Sequence, residues 1–293
     1  MIIGITGANG FLGKILCQYL QKDHQVISIG KNLQNKISVD LSITVPDLPE
    51  MDLIIHSAGK AHLIPKSAEE KRDFFEVNVN GTSNLLSGIQ RLPKLFIFIS
   101  SVSVYGIDEG RNIDENFPTK GGNPYADSKI AAEGMILEWG QFHNVPVIIL
   151  RLPLIAGPNP PGNLGAIIKA ISNGYYFRLG VGDAQKSMVW AEDVAKLIPN
   201  LIGKSGIYQL CDGQHPKLAE LDSAIAKHFN KNIRSIPRSI LIPLSKIGDL
   251  LPFFPINTYR VKKLSQTLTF SDAKARTELG WSPSPVLEKL KEI

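Results

Sequence analysis

The chain has 293 residues, 43% apolar and 20% charged, with a net charge of +5. That length carries one large or two modest domains with a real core, and the balance is that of a soluble globular protein. The basic residues read as scattered, with no arginine-rich block, which excludes a nucleic-acid footprint; Cys17 and Cys211, far apart, offer neither a disulfide framework nor a metal-ligand spacing.

The chain opens directly on an apolar strand, Met1 to Thr6, with no basic leader of the signal-peptide kind. Phe11 to Gln21 reads as an amphipathic helix, and Gln25–Ile29, Lys36–Val39 and Asp52–His56 as strands. Helical periodicity runs from Glu69 to Arg91. The run "LFIFIS" (Leu95 to Ser100) is apolar throughout, as a strand buried on both faces must be. Tyr125 to Phe142 is a helix, followed by the apolar strand "VPVIIL" (Val145 to Leu150). This alternation predicts an α/β fold with a doubly wound parallel sheet. After Arg151 the pattern loosens through the loop "GPNPPG". Helices at Leu164–Asn173 and Glu192–Leu201 and a strand at Gly206–Asp212 follow. We expect a sheet domain over 1–152 and a smaller C-terminal α/β lobe over 153–293, interleaved with the last sheet elements at about 188–212. "SILIPLSKIGDLLPFFPI" (Ser239 to Ile256) is interrupted by Lys246, Asp249 and prolines, so it is no membrane span; it reads as an amphipathic helix packed on its own domain, with contact at a membrane surface as the alternative. Trp190 and Trp281 are expected in the core. Both cysteines are expected as buried thiols in a reducing cytoplasm.

"ITGANGFLG" places Gly7, Gly10 and Gly13 between the first strand and the first helix. The first glycine allows a tight turn, the second lets backbone approach a pyrophosphate, and the third lets helix pack close on strand. The phosphates then meet the helix N-terminus at Phe11 and Leu12. This context predicts dinucleotide binding. The second strand ends in Gly30-Lys31-Asn32, without the carboxylate that would hold an NAD ribose. Lys31 is placed to meet a 2′-phosphate instead; a solvated loop lysine is the alternative. In "NPYADSK" Tyr125 precedes Lys129 by one helical turn, which puts a phenol beside an ammonium that favours the phenolate.

Further pieces fall in order: "VDLS" with Asp40, "DLIIHSAGKAH", "VNVNGTSNLL" with Asn78, "FISSVSVYG" before the tyrosine, and the late "FSDAKARTELGW". With the glycine turn, they resemble an extended short-chain dehydrogenase/reductase, the group of nucleotide-sugar epimerases, dehydratases and reductases, over nearly the whole chain. The resemblance implies a Rossmann fold and NADP or NAD as cofactor. It implies Tyr125 as acid/base, Lys129 on the nicotinamide ribose, Ser101 on the reacting oxygen and Ser103 assisting. Asp40 and Leu41 would meet the adenine end and Asn78 the nicotinamide end. Ser57, Ala58, Gly59 and Lys60 would line the pyrophosphate, with Pro153 also at the cofactor.

The same resemblance implies a nucleotide-diphosphate sugar as substrate, met by His62, Ser101, Ser103, Asn163, Leu164 and Lys186. It leaves room for a homodimer and for a cytoplasmic enzyme with no nucleic-acid partner and no metal. His56 is expected as a packed strand-end histidine, and the other histidines at surface or loop positions. Dehydratases of the group carry Asp-Glu where this chain has Ser103 and Val104, so dehydration is set aside. A 4-keto-sugar reductase and a 4-epimerase similar to UDP-galactose 4-epimerase remain, with a non-catalytic cofactor-binding sensor as a different class. Two departures weigh against the epimerase: Lys186 replaces a diphosphate-binding arginine, and Leu154 a polar asparagine.

Overall fold

The computed structural model describes residues 1–61, 65, 67–250 and 258–293. Its central sheet runs in the order β11-β7-β5-β4-β1-β2-β3. The strands are β1 (Ile2–Thr6), β2 (Gln25–Gly30), β3 (Ile37–Ser38), β4 (Leu53–His56), β5 (Leu95–Ser101), β7 (Val147–Leu152) and β11 (Gly206–Gln209). Every pairing in it is parallel. Parallel neighbours need crossovers, and helices fill both faces. On one face lie α1 (Phe11–Leu20) and α6 (Ala191–Leu197); on the other lie α3 (Gly81–Ser87) and α4 (Pro124–His143). The "LFIFIS" strand shows why the sheet forms: Leu95, Phe96 and Ile97 are fully buried and alternate between the two core layers. Each such side chain contributes about 1.5–3 kcal/mol of burial.

The predicted helix over Glu69–Arg91 is three pieces. α2 (Ala68–Phe75) gives way to a wide π-turn at Glu76–Asn80 before α3 begins. Such a turn inserts extra backbone into a helix and marks functional sites more often than chance. Here it carries Asn78, which is 2% exposed.

Beyond the sheet, α5 (Gly162–Ser172), α7 (Leu218–His228) and α11 (Val286–Lys289) pack with the paired strands β8 (Leu154–Ala156) and β10 (Met188–Trp190) around Leu164, Trp190 and Ile225. β9 (Phe177–Leu179) pairs with β12 (Arg234–Ile236), which leads into α8 (Arg238–Leu250) and α9 (Thr258–Ser265). The chain then returns: β13 (Leu268–Phe270) pairs with β6 (Gly110–Ile113), and α10 (Ala273–Leu279) packs on β11. Both tryptophans are core residues, and Trp281 Nε1 donates to Cys211 O at 2.8 Å. Cys211 is buried, but Cys17 is only half-buried. Among the described residues, no helix is long and apolar enough to cross a membrane.

Candidate active site

The glycine turn sits where the strand order reverses, between β1 and β4, as dinucleotide sites in open α/β sheets do. Gly7 adopts φ +67°, and a Cβ there would lie 2.7 Å from Ala58 N. A Cβ on Gly13 would lie 2.1 Å from Gly7 O, so only glycine lets α1 approach the turn. Gly10 is exposed at the N-cap and gives the helix no side-chain cap, which leaves the first-turn amides of α1, over Phe11 and Leu12, without a side-chain acceptor. Gly59 is exposed too, and its missing side chain keeps backbone open beside Asn78 and Lys129. These residues fit a dinucleotide: a strained turn that admits no side chains, next to a helix N-terminus.

At the far end of the turn, Lys31 Nζ pairs with Asp40 at 2.8 Å. Asp40 also accepts from Ser42 N (3.0 Å) and Ser42 Oγ (2.6 Å). Partial burial pushes its carboxyl up, but these donors outweigh that and hold it below the usual carboxylate range. The structure thus gives Lys31 a carboxylate partner that the sequence did not suggest. Leu41, next in line, is buried, and its carbonyl accepts from Asn84 Nδ2 at 2.7 Å.

His56 links the loop after β4 and the end of β1 to the π-turn that carries Asn78. Ala58 N donates to Thr6 Oγ1 (3.1 Å), whose hydroxyl lies 2.7 Å from His56 Nδ1. On the other edge His56 Nε2 lies 2.9 Å from Thr82 Oγ1, which donates to Asn78 O (2.6 Å). Thr82 spends its proton on that carbonyl, so Nε2 carries the hydrogen and Nδ1 accepts from Thr6. Burial, and then the charge of Lys129, push His56 down to about 3, so it stays neutral. Asn78 in turn accepts from Lys60 N at 2.7 Å and donates to Ser128 Oγ at 2.9 Å. The Lys60 ammonium pairs with Asp73, so its backbone rather than its charge faces the loop beside Ser57. Asn78 is therefore a bracket between that loop and the helix of Tyr125.

α4 starts cleanly. Asn123 accepts from Ala126 N at 3.0 Å and Pro124 occupies the first turn. Tyr125 and Lys129 follow on its inner face. The Ser101 side chain is near enough to the Tyr125 phenol to bear on its titration, and Ser101 Oγ donates to Ser103 Oγ at 3.1 Å. A 3₁₀ turn at Val102–Tyr105 brings both serines to the end of β5. Three hydroxyls so converge at one spot, with Phe74 packed on the tyrosine ring at 6.3 Å. Val104, where dehydratases place a carboxylate, is fully buried with Tyr105 and Phe270.

The expected lowering of Tyr125 by Lys129 is not the balance found. Burial raises the phenol, and the Ser101 side chain opposes that. Lys129 Nζ donates to Ile99 O at 2.9 Å and lies over the Phe98 ring at 4.3 Å, aimed at the strand rather than the hydroxyl. Burial brings Lys129 down to about 8, with Glu133 pulling the other way.

Of the other expected site residues, Pro153 joins β7 to β8. Asn163 is exposed in the first turn of α5, while the Leu164 side chain is fully in the core, leaving only its backbone for a ligand. Lys186 is half-buried between Gln185 and Ser187 and bridges to Leu268. His62 lies outside the described residues. The sequence reading missed Ser128 and the buried Glu133–Arg151 pair beneath Lys129. Glu133 stands one turn after Lys129 on the same face, a spacing that could have drawn notice. His215 is not a simple loop residue: its Nδ1 lies 2.9 Å from Ser187 Oγ.

The sequence profile of the NAD dependent epimerase/dehydratase family matches residues 3–209. The chain belongs to that family. It is an extended short-chain dehydrogenase/reductase enzyme that uses NAD or NADP. Among its relatives, the N-acetyl-alpha-D-glucosaminyl-diphospho-ditrans,octacis-undecaprenol 4-epimerase of Escherichia coli O157:H7 is 28% identical, over 93% of this chain and 88% of the relative. The GDP-6-deoxy-D-mannose reductase of Pseudomonas aeruginosa is 30% identical over 76% of this chain and 78% of the relative. Among solved structures, RMD from Pseudomonas aeruginosa complexed with NADPH has a TM-score of 0.76 at 22% identity, covering 100% of this chain and 98% of that one. The epimerase/dehydratase family thus accounts for both the fold and the cofactor turn.

Proposed function

We propose that the enzyme reduces a nucleotide-linked 4-keto hexose, with Tyr125 as the general acid. The observation that carries this reading is the cluster of Tyr125, Ser101 and Ser103 with a buried Val104 beside it. That cluster can hold a sugar oxygen and exchange a proton with it, but it has no carboxylate pair to remove water. NAD(P)H, when bound, supplies the hydride that goes to the carbonyl carbon. Tyr125 gives its phenolic proton to the carbonyl oxygen as that oxygen becomes a hydroxyl, and Ser101 donates a hydrogen bond to the same atom. Lys129, whose ammonium is held on Ile99 O one turn below the phenol, would meet the nicotinamide ribose when the cofactor is bound. Gly7, Gly10, Gly13 and Gly59 would hold the cofactor, while Asn163, the Leu164 backbone and Lys186 would hold the substrate diphosphate.

A 4-epimerase is the second reading, and the breadth of the match to the Escherichia coli relative favours it. Against it stand Leu154, whose side chain packs in the second core, and Lys186 in place of an arginine. The deciding experiment has two arms. Purified protein is mixed with a UDP- or dTDP-4-keto-6-deoxyhexose and reduced cofactor, and separately with UDP-galactose or UDP-N-acetylgalactosamine without added cofactor. Stoichiometric loss of reduced-nicotinamide absorbance in the first arm supports the reductase. C4 interconversion in the second without net cofactor use overturns it.

A further inference from the structure

The positive charge of this chain is not scattered. Residues 231–265 contain seven lysines and arginines against one acidic residue, Asp249. That local excess of six exceeds the +5 of the whole chain, so everything outside the segment is slightly acidic. The one acid is already engaged: its carboxylate accepts from Thr258 N (3.0 Å) and Thr258 Oγ1 (2.5 Å), closing the start of α9.

Exposed apolar side chains lie in and beside the same segment. In α8, Leu241 and Ser245 turn inward, 1% and 4% exposed, while Ile240 and Ile242 each remain 51% exposed. Lys246, one turn after Ile242, is also exposed. The β9–β12 pairing sets exposed Phe177 opposite exposed Arg234. Val181, just past β9, is 73% exposed. A helix that leaves two isoleucines and Lys246 exposed, with its one acid held by Thr258, is not finished by its own domain.

We propose that this face, α8 together with the β9–β12 ribbon, docks on the surface of an anionic phospholipid bilayer. Apolar side chains would enter the headgroup boundary while lysines and arginines pair with lipid phosphates, which is how interfacial amphipathic helices bind. A second copy of this chain suits the face less well, because it would bring the same excess of cations against itself. The location adds to the argument. The segment leaves from β12, which pairs with β9, and returns at Leu268, whose amide donates to Gln185 O at 3.0 Å and which bridges to Lys186. Both ends of the docking element are thus fastened to the 177–186 stretch that ends at Lys186. The proposal does not depend on which reaction the enzyme performs.

Vesicle co-sedimentation tests it with the full chain. Binding is measured to vesicles of phosphatidylcholine alone and of phosphatidylcholine with about one-third phosphatidylglycerol. We expect at least tenfold tighter binding to the anionic vesicles, largely released at high salt. Ile240→Asp with Ile242→Asp, and separately Lys246→Glu with Arg234→Glu, should each lower that binding about tenfold or more. Phe142→Asp, on the exposed end of α4, should leave it unchanged. Light scattering after gel filtration follows the oligomeric state of every variant. Absence of binding to anionic vesicles overturns the proposal. So does equal binding to both compositions, or a double aspartate variant that binds as well as the parent. Dissociation of an oligomer by the double aspartate variant, without any vesicle binding by the parent, would make the face a contact between copies and also overturn it.

Discussion

Arg151 and Glu133 form a two-pronged pair beneath Lys129. Arg151 Nη2 lies 2.7 Å from Glu133 Oε2 and Nε lies 3.1 Å from Oε1, with the side chains only 5% and 6% exposed. The surroundings complete it: Ser100 Oγ donates to Glu133 Oε1 at 2.5 Å, and Arg151 Nη1 donates to Tyr105 OH at 3.0 Å. The pair bolts α4 to β5 and β7, and Lys129 rides on the same helix one turn above.

Removing one partner strands the other charge in the core. Arg151→Met should lower unfolding free energy by about 3–5 kcal/mol, and the double variant Arg151→Met with Glu133→Leu by clearly less. Urea unfolding measures both. Equal losses would mean that packing, not charge, sets the cost.

Tyr125→Phe keeps the ring against Phe74 and removes only the hydroxyl. Turnover should fall roughly 10²–10⁴-fold with cofactor binding near that of the parent. Steady-state kinetics and fluorescence titration with reduced cofactor check this. Activity within a few-fold of the parent removes Tyr125 from the chemistry.

Lys129 gives a pH signature of known sign. Its folded pKa of about 8 lies below the ordinary 10.5. Between those values the unfolded chain binds more protons, so this group makes stability rise with pH through that window. At neutral pH and below it costs the fold up to about 3 kcal/mol. Lys129→Met should therefore be stabilising near neutral pH, with the advantage shrinking as pH rises through the window. A difference that does not change with pH would show that Lys129 is not depressed.

Lys31 faces Asp40, so a 2′-phosphate must compete with that carboxylate for it. Lys31→Ala should weaken NADPH selectively and leave NADH nearly unchanged, as read by calorimetry. A preference for NADH that the substitution does not alter would remove the phosphate role.

Lys186→Met should raise KM more than it lowers kcat, because a diphosphate grip is equal in ground and transition states. The reverse pattern places Lys186 elsewhere.

The sheet was legible wherever one strand's composition settled its surroundings. "LFIFIS" had to be buried on both faces, and the glycine spacing had to be a turn between strand and helix. The helix that carries Tyr125 and Lys129 and the strand end that carries Ser101 were legible from their motifs. What stayed hidden depends on residues far apart in sequence. The Glu133–Arg151 pair is visible only once α4 lies across β7. The π-turn at Asn78 hides inside good helical periodicity, because one extra residue barely disturbs the apolar spacing. The direction of Lys129 was missed because a backbone carbonyl, Ile99 O, holds its head. No side-chain pattern announces that bond. The charge of the α8–α9 segment was on view, but averaging over the whole chain conceals a local excess.

The parallel pairing of β13 with β6 brings the chain's late residues to Tyr105 and the Arg151–Glu133 pair. Phe270 stacks on Tyr105 with ring centroids 5.8 Å apart, and Tyr105 steadies Arg151. During synthesis the central sheet can assemble long before Phe270 leaves the ribosome. Until that residue arrives, Tyr105 lacks the ring that stacks on it. The packing around Tyr105 is thus completed by residues that leave the ribosome after those of the sheet.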